Sequence, residues 1–536
     1  MQYLAVFIAL LVSLPVLIIV ASLFTPFSDV WTHLLETVLW DYLSNTLRLV
    51  AGVSLGVLSI GVTTAWLVAR YHFPGRALFA WALLLPLAMP AYIIAYTWTG
   101  VLDYAGPLQT GLRESFQWQN GDYWFPEIRS LGGAICMLSL VLYPYVYMLA
   151  RIAFAELPPA AYEAARSLGA GSWRRFTRVA LPLARPAIVT GLSLALMETV
   201  ADYGTVQYFG VSTFTTGIFR VWFGMGESAA AMQLSTLLLM IVLTLILLER
   251  WSRREARHFQ SGRRSMTHTP ERLQGNWGWL AFFACLLPIL LGFLLPALQL
   301  IQWSLETAEE SLNAEFLTLA LRSLSLAGTA ALITVILAVV VGYARRLHPN
   351  IAVRTSAQIA SLGYAIPGAV IAVGVILPFA WLDNQVDGMM RNYFGFSTGL
   401  LLSGSILALL FAYAVRFLAV SLQSVETGLA RIKPSMDDAA RSLGESPTGV
   451  LRRVHLPLLR GSLLAALLLV FVDVLKELPA TLILRPFDFN TLAVRAYEMA
   501  SDERLADAGL PALLIVAIGI LPVIFISRIS INRNHE

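Results

Sequence analysis

A polar stretch of twenty residues occurs twice in this chain of 536, as EAARSLGAGSWRRFTRVALP from Glu163 to Pro182 and as DAARSLGESPTGVLRRVHLP from Asp438 to Pro457. A constant offset of 275 residues relates the two copies without a gap. Each copy is a basic island between long apolar segments. Whatever the chain folds into must therefore present the same small polar element twice, in the same place within two like units.

The local physics of that element is a short helix, a sharp turn and a second helix. Glu163, Ala164, Ala165, Arg166 and Leu168 favour helix. Gly169 stands where a helix end needs positive φ or where another surface comes close. Pro182 cannot donate to the preceding turn, so it marks a kinked entry into the next apolar segment. The second copy repeats the argument at Gly444 and Pro457.

With 57% hydrophobic and 13% charged residues, the chain lies outside the soluble globular range of roughly a quarter charged. A crossing needs about 20 apolar residues. Twelve such segments lie near 3–24, 46–69, 78–100, 131–154, 187–203, 229–249, 278–302, 318–343, 356–381, 399–421, 461–477 and 508–528. The first has neither a basic leader nor a small-x-small cleavage site, so it counts as a span rather than a signal peptide. Cys136 and Cys285 both sit in apolar segments and read as packing residues, with no disulfide framework or metal site assigned.

Charge sets the expected orientation. The loops carrying Asp29, Glu36 and Asp41, and Glu306, Glu309, Glu310 and Glu315, are acidic. Arg70, Arg76, both repeated islands, the 250–276 stretch, Arg345, Arg346, Arg354, Arg528 and Arg533 fall on the other side. The positive-inside rule makes that side cytoplasmic and both termini with it. Six crossings per half give the two halves the same orientation. The expected fold is an all-α integral membrane protein of twelve transmembrane helices in two parallel six-helix repeats. The first occupies 1–250, with its island at about 157–186. The second occupies 277–536, with its island at about 432–461. Residues 251–276 form a basic, turn-rich cytoplasmic linker drawn to anionic lipid. The +4 net charge is local to such loops and points to no nucleic acid.

The island resembles the EAA loop of ABC-importer permeases, whose pattern is E-A-A-x3-G-x9-I-x-L-P. Glu163, Ala164, Ala165, Gly169, Leu181 and Pro182 match it, with Val179 in the isoleucine position. In the second copy Ala439, Ala440, Gly444, Leu456 and Pro457 match, while Asp438 replaces glutamate and Val454 replaces isoleucine. The resemblance covers nearly the whole chain and implies a type I importer fold with both permease halves fused. It further implies two copies of a separate ABC ATPase subunit on the cytoplasmic side and an extracytoplasmic substrate-binding protein. Contact with the ATPase would fall to Glu163, Ala164, Ala165, Arg166, Gly169 and Pro182, and to Asp438, Ala439, Ala440, Arg441, Gly444 and Pro457. ATP would be bound by the partner: no G-x4-G-K-[ST] phosphate loop occurs, and no cofactor is assigned to this chain.

Each island is followed by a span with acids in register, Glu198 and Asp202 in the first and Asp473 and Glu477 in the second, with Lys476 beside them. Carboxylates at membrane depth face a bundle interior, a partner charge or a polar path. The four either line a translocation path or act as structural acceptors, partly neutralised by Lys476. Arg220 and Arg495, also in register, either pair with Asp202 and Glu477 or meet a docking protein. Pro86 and Pro90 in the third span, and Pro367 in its counterpart, predict matched kinks. Trp118, Tyr123 and Trp124 read as interfacial anchors or as a partner surface. His455 stands opposite Ala180 and is not a ligand that both halves share.

Among fused permeases the chain resembles the ferric-iron importers most, through ADYGTVQYFG and KELPATLILRPFDFNTLAVR. Carboxylate oxygens suit a hard cation. Permeases for thiamine, polyamines or phosphonates share the architecture. A major-facilitator secondary transporter also has two parallel halves, but its Gly-x3-Asp-Arg-x-Gly-Arg-type loop is replaced here by ARYHFPGRA.

Overall fold

The computed structural model describes residues 1–119, 121–256 and 271–532; residues 257–270 of the expected linker and Arg533 lie outside them. Among the described residues ten helices are long and apolar enough to cross a membrane. One more span is broken into Arg76–Ala88 and Ala91–Phe116. The last helix, Gly509–Asn532, is apolar through Ile524. That inventory accommodates the twelve spans read from hydropathy.

The repeat is geometric as well as lexical. Helix Leu131–Ala155 and helix Ile406–Ala430 share both ends at the 275-residue offset, and Leu39–Arg70 and Ala314–Leu347 share their start. Even the caps repeat. Ser130 Oγ accepts from the Gly133 N–H at 3.2 Å and Ser405 Oγ from the Leu407 N–H at 3.2 Å. These satisfy donors that the first turn leaves orphaned.

The matched prolines break the chain where expected. Pro90 caps the helix Ala91–Leu102 with φ −59° and ψ 142°, and Pro367 caps Gly368–Phe394 with φ −55° and ψ 140°. Without an N–H and with φ fixed, each ends the preceding turn and starts a new helix in a new direction. The third span bends by 91° there, more than a kink.

Packing divides the chain into two compact units that cut across the sequence halves. One comprises Met1–Leu34, Gly217–Leu239 and Ala308–Glu498; the other comprises Leu35–Thr216, Met240–Thr307 and Met499–Glu536. Within the first unit, helix Gln2–Ala21 lies against Ile351–Ala360 and Gly368–Phe394. Its end is tied by Thr236 Oγ1 donating to the Ile19 carbonyl at 2.8 Å and by Gln233, which bonds both Trp31 and the Ser22 carbonyl. Such polar ties hold in an apolar surround because the alternative is an unpaired group. The same unit packs Ala314–Leu347, Ile406–Ala430 and Leu456–Leu475 on one another. Within the second unit, Leu39–Arg70, Leu131–Ala155 and Leu181–Ala201 form the corresponding trio. There Trp98 Nε1 donates to the Leu291 carbonyl at 3.0 Å.

Candidate functional site

Each repeated island folds as a helix, a left-handed turn and a second short helix. The first helices are Pro159–Ser167 and Pro434–Ser442, each with proline in its first turn, where the missing N–H costs nothing. Gly169 has φ 79° and Gly444 has φ 85°. The turn closes identically in both. The Gly169 N–H donates to the Arg166 carbonyl at 3.0 Å and the Ala170 N–H to the Ala165 carbonyl at 3.0 Å. The Gly444 N–H donates to Arg441 at 2.9 Å and the Glu445 N–H to Ala440 at 3.1 Å. This paired closure needs a residue at ease in the left-handed region. A Cβ at either glycine would meet nothing within 4 Å, so the constraint is backbone conformation and not crowding.

Glu163, Ala164, Arg166, Asp438, Ala439 and Arg441 are exposed, while Ala165 is half-buried and Ala440 buried. Pro182 and Pro457 are exposed and stand in the first turn of Leu181–Ala201 and Leu456–Leu475. Each of those helices follows a stretch of wider π-type turn, Phe176–Ala180 and Leu451–His455. Proline cannot supply the regular bond there, and the wider turn relieves the clash. The outward tips are Leu168 and Leu443, both 86% exposed. In the sequence Leu168 reads only as a helix former. The signal was available, since Leu168 and Leu443 recur in register just before the glycines.

The acid that anchors the second island is Asp437, one position before the motif residue Asp438. Asp437 Oδ2 lies 2.8 Å from Arg346 Nε, and Asp437 Oδ1 lies 2.9 Å from His455 Nε2. Arg346 also donates to the Leu429 carbonyl at 2.6 Å and the Ile432 carbonyl at 2.9 Å. Tyr343 OH donates to the Pro447 carbonyl at 2.6 Å and its ring meets that of His455 edge-on. Burial pushes the Asp437 carboxyl up, but the Arg346 bonds and the charges of His455 and Arg346 outweigh it and hold the group below the usual carboxylate range. The first island is set in aromatic rings instead: Trp66 lies 5.1 Å from Phe154 and 5.0 Å from Phe176.

The acids beyond the islands stand at helix breaks. Asp202 follows the last residue of Leu181–Ala201. Its Oδ1 accepts from the Thr205 and Val206 N–H groups at 3.1 Å each, and its Oδ2 from Thr205 Oγ1 at 3.0 Å. Glu477 does the same after Leu456–Leu475, accepting from the Ala480 and Thr481 N–H groups at 3.0 Å each and from Thr481 Oγ1 at 2.8 Å. Each carboxylate thus starts the short helix that follows, Gly204–Tyr208 or Pro479–Leu484. The guanidinium that meets Glu477 is Arg416, at 2.9 Å, instead of the expected Arg495. A Cβ at Gly368 would collide with both members of that pair. Asp473 is paired with Lys476 at 2.8 Å, and Glu198 is half-buried one turn before Asp202. In the loop before Leu131–Ala155, Trp118 stacks on Tyr123 with 5.3 Å between centroids, and Trp124 is 86% exposed.

Comparison with known proteins places this geometry. The model of the binding-protein-dependent transport system inner membrane component family matches twice, over residues 58–257 and 334–534. The Fe(3+)-transport system permease protein FbpB 2 of Haemophilus influenzae is 26% identical over 496 residues, 91% of this chain and 90% of that protein. The molybdenum transport system permease protein ModB of Escherichia coli is 26% identical over 224 residues, 41% of this chain and 95% of that protein. The sulfate transport system permease protein CysT of Escherichia coli is 27% identical over 184 residues, 32% of this chain and 61% of that protein. Two family matches at the spacing of the repeat, on a chain of long apolar helices, identify a fused pair: this chain belongs to the binding-protein-dependent transport system inner membrane components, the multi-pass permeases of ABC importers.

Proposed function

We propose that this permease carries ferric iron across the inner membrane, driven by two copies of a separate ATPase and supplied by an extracytoplasmic binding protein. The observation that carries the substrate is similarity along nearly the whole chain to a permease named for Fe(3+) transport. The molybdenum and sulfate permeases match less than half of this chain. The helix breaks support the same choice. An oxyanion would be held by free N–H groups at a broken helix, yet those N–H groups here already donate to Asp202 and Glu477.

In this reading the islands at 157–186 and 432–461 face the cytoplasm together with both termini, and dock in the ATPase through Leu168 and Leu443 at their tips. The exposed Glu163, Arg166, Asp438 and Arg441 flank those tips, and Gly169 and Gly444 fix their angle. Halves 1–250 and 277–536 act as a pseudo-twofold pair around the path. Asp202 and Glu477 hold the helix breaks beside it, and Glu198 and Asp473 line it one turn earlier on the same helices. ATP hydrolysis belongs to the partner, whose closure moves the islands and switches the path between two arrangements.

The experiment is uptake by proteoliposomes holding the permease, its ATPase and its binding protein, offered radiolabelled ferric iron, thiamine or molybdate in separate arms. ATP-dependent accumulation of iron alone supports the substrate. Accumulation of another solute in its place overturns the substrate and keeps the permease. Accumulation without ATPase would sink the coupling itself.

A further inference from the structure

We propose that the end of the stretch joining the two halves is a positioning part of the first coupling island, with Glu271 and Arg175 as its working contact. Glu271 and Arg272 pair as a parallel strand with Tyr71 and His72, and the Leu273 N–H donates to the His72 carbonyl at 3.1 Å. They are the only strands among the described residues. From that seat Glu271 Oε1 reaches 3.4 Å from Arg175 Nη1. Arg175 is buried, 7% exposed, in the short helix Ser172–Arg175, and its Nη2 donates to Ser172 Oγ at 3.1 Å. A backbone pairing thus fixes the carboxylate, and the carboxylate meets the buried cation of the island.

The second island shows why such a device has a purpose. At the repeat offset Tyr71 corresponds to Arg346 and Arg175 to Val450. Arg346 is the cation that grips the second island through Asp437, directly from the end of its own long helix. The first half has tyrosine at that position, and the arginine at the end of its long helix, Arg70, lies over the Trp66 ring with 5.7 Å to the centroid. The same spot is occupied by the strand pairing that brings in Glu271. The second island is therefore gripped by a cation of its own long helix, whereas the first, besides its aromatic setting, takes a contact from the joining stretch. A mostly buried guanidinium is costly to leave unmatched, and a glutamate whose backbone is already fixed adds only its own side-chain ordering to the cost of meeting it.

The inference rests on the coupling role proposed above, and its test separates the two. In the full chain, assembled with its ATPase and binding protein, Glu271→Gln, Arg175→Gln and Leu273→Pro are compared with the exchange Arg175→Glu with Glu271→Arg. A further variant is cut by a protease within 257–270, leaving Glu271 attached to the second half. Measured are ATP hydrolysed per radiolabelled ferric iron accumulated, and hydrogen exchange of the peptides spanning 172–180 and 447–455. The three single variants should raise the ATP cost per iron about three- to fivefold, on the order expected for losing a partly buried pair. They should also speed exchange at 172–180 alone. The exchange variant should recover most of both, and cutting should change neither. Wild-type exchange at 172–180 in all three single variants, or an exchange variant no better than its parents, overturns the inference. If wild-type complexes move no iron, the substrate reading fails and the exchange comparison alone decides this one.

Discussion

Arg346 Nε lies 2.8 Å from Asp437 Oδ2, and the same carboxylate faces His455 across 2.9 Å, so one acid ties the end of a long helix to both arms of the second island. The group is held below the ordinary carboxylate value, which fixes the sign of its pH dependence. A depressed carboxyl stabilises the fold above its unfolded value, and the contribution fades as pH falls through the folded one. The wild-type unfolding midpoint should exceed that of Asp437→Asn at pH 7, and the gap should narrow as pH drops below about 4. Thermal unfolding in detergent across that range checks it. A gap that widened on acidification would refute the assignment.

The turn of each island depends on φ alone, because a Cβ at Gly169 or Gly444 meets nothing. A β-branched residue there carries a left-handed penalty of roughly 1–2 kcal/mol, whereas asparagine tolerates the region better. The double variant Gly169→Val with Gly444→Val should lose ATP-dependent uptake while still inserting in the membrane. The corresponding double asparagine variant should retain a good part of it. Equal uptake by the two would remove the turn from the mechanism.

Much of this was legible in the chain because it is local. The helix–glycine–helix pattern, the proline breaks at Pro90 and Pro367 and the apolar spans all follow from residues within a turn or two of one another. The partner of Glu477 was not. Arg416 lies 61 positions away on another helix, and only tertiary packing selects it over the nearer Arg495. Likewise Asp437 and Asp438 are neighbours, but they point to different faces of a helix whose buried side is set by Arg346 and His455. The placement of Gln2–Ala21 with residues 308–498 has no local signal at all.

Leu168 and Leu443 are each 86% exposed at the tips of the islands, where neither adds to the core. Changing either to aspartate should alter stability by no more than about 0.5 kcal/mol. Capture of the ATPase subunit on affinity beads should fall in each single variant and vanish in the double. Undiminished capture by the double variant would move the docking surface elsewhere.

Glu477 and Arg416 form a pair with almost no exposure, 2% and 10% of their side chains, and every bond of the carboxylate is internal. Removing one charge strands the other, at a cost of about 3–5 kcal/mol, whereas removing both with apolar residues of similar size costs far less. Glu477→Gln should therefore lower the unfolding midpoint more than Glu477→Met combined with Arg416→Met. Uptake separates a structural role from a path-lining one. If the carboxylate only starts the helix Pro479–Leu484, the double variant should support uptake nearly as well as wild type once enough folded protein is recovered. If the carboxylate faces the moving substrate, the double variant should be stable and idle. The closed set of bonds around Glu477 favours the first outcome, and a stable, idle double variant would reverse it.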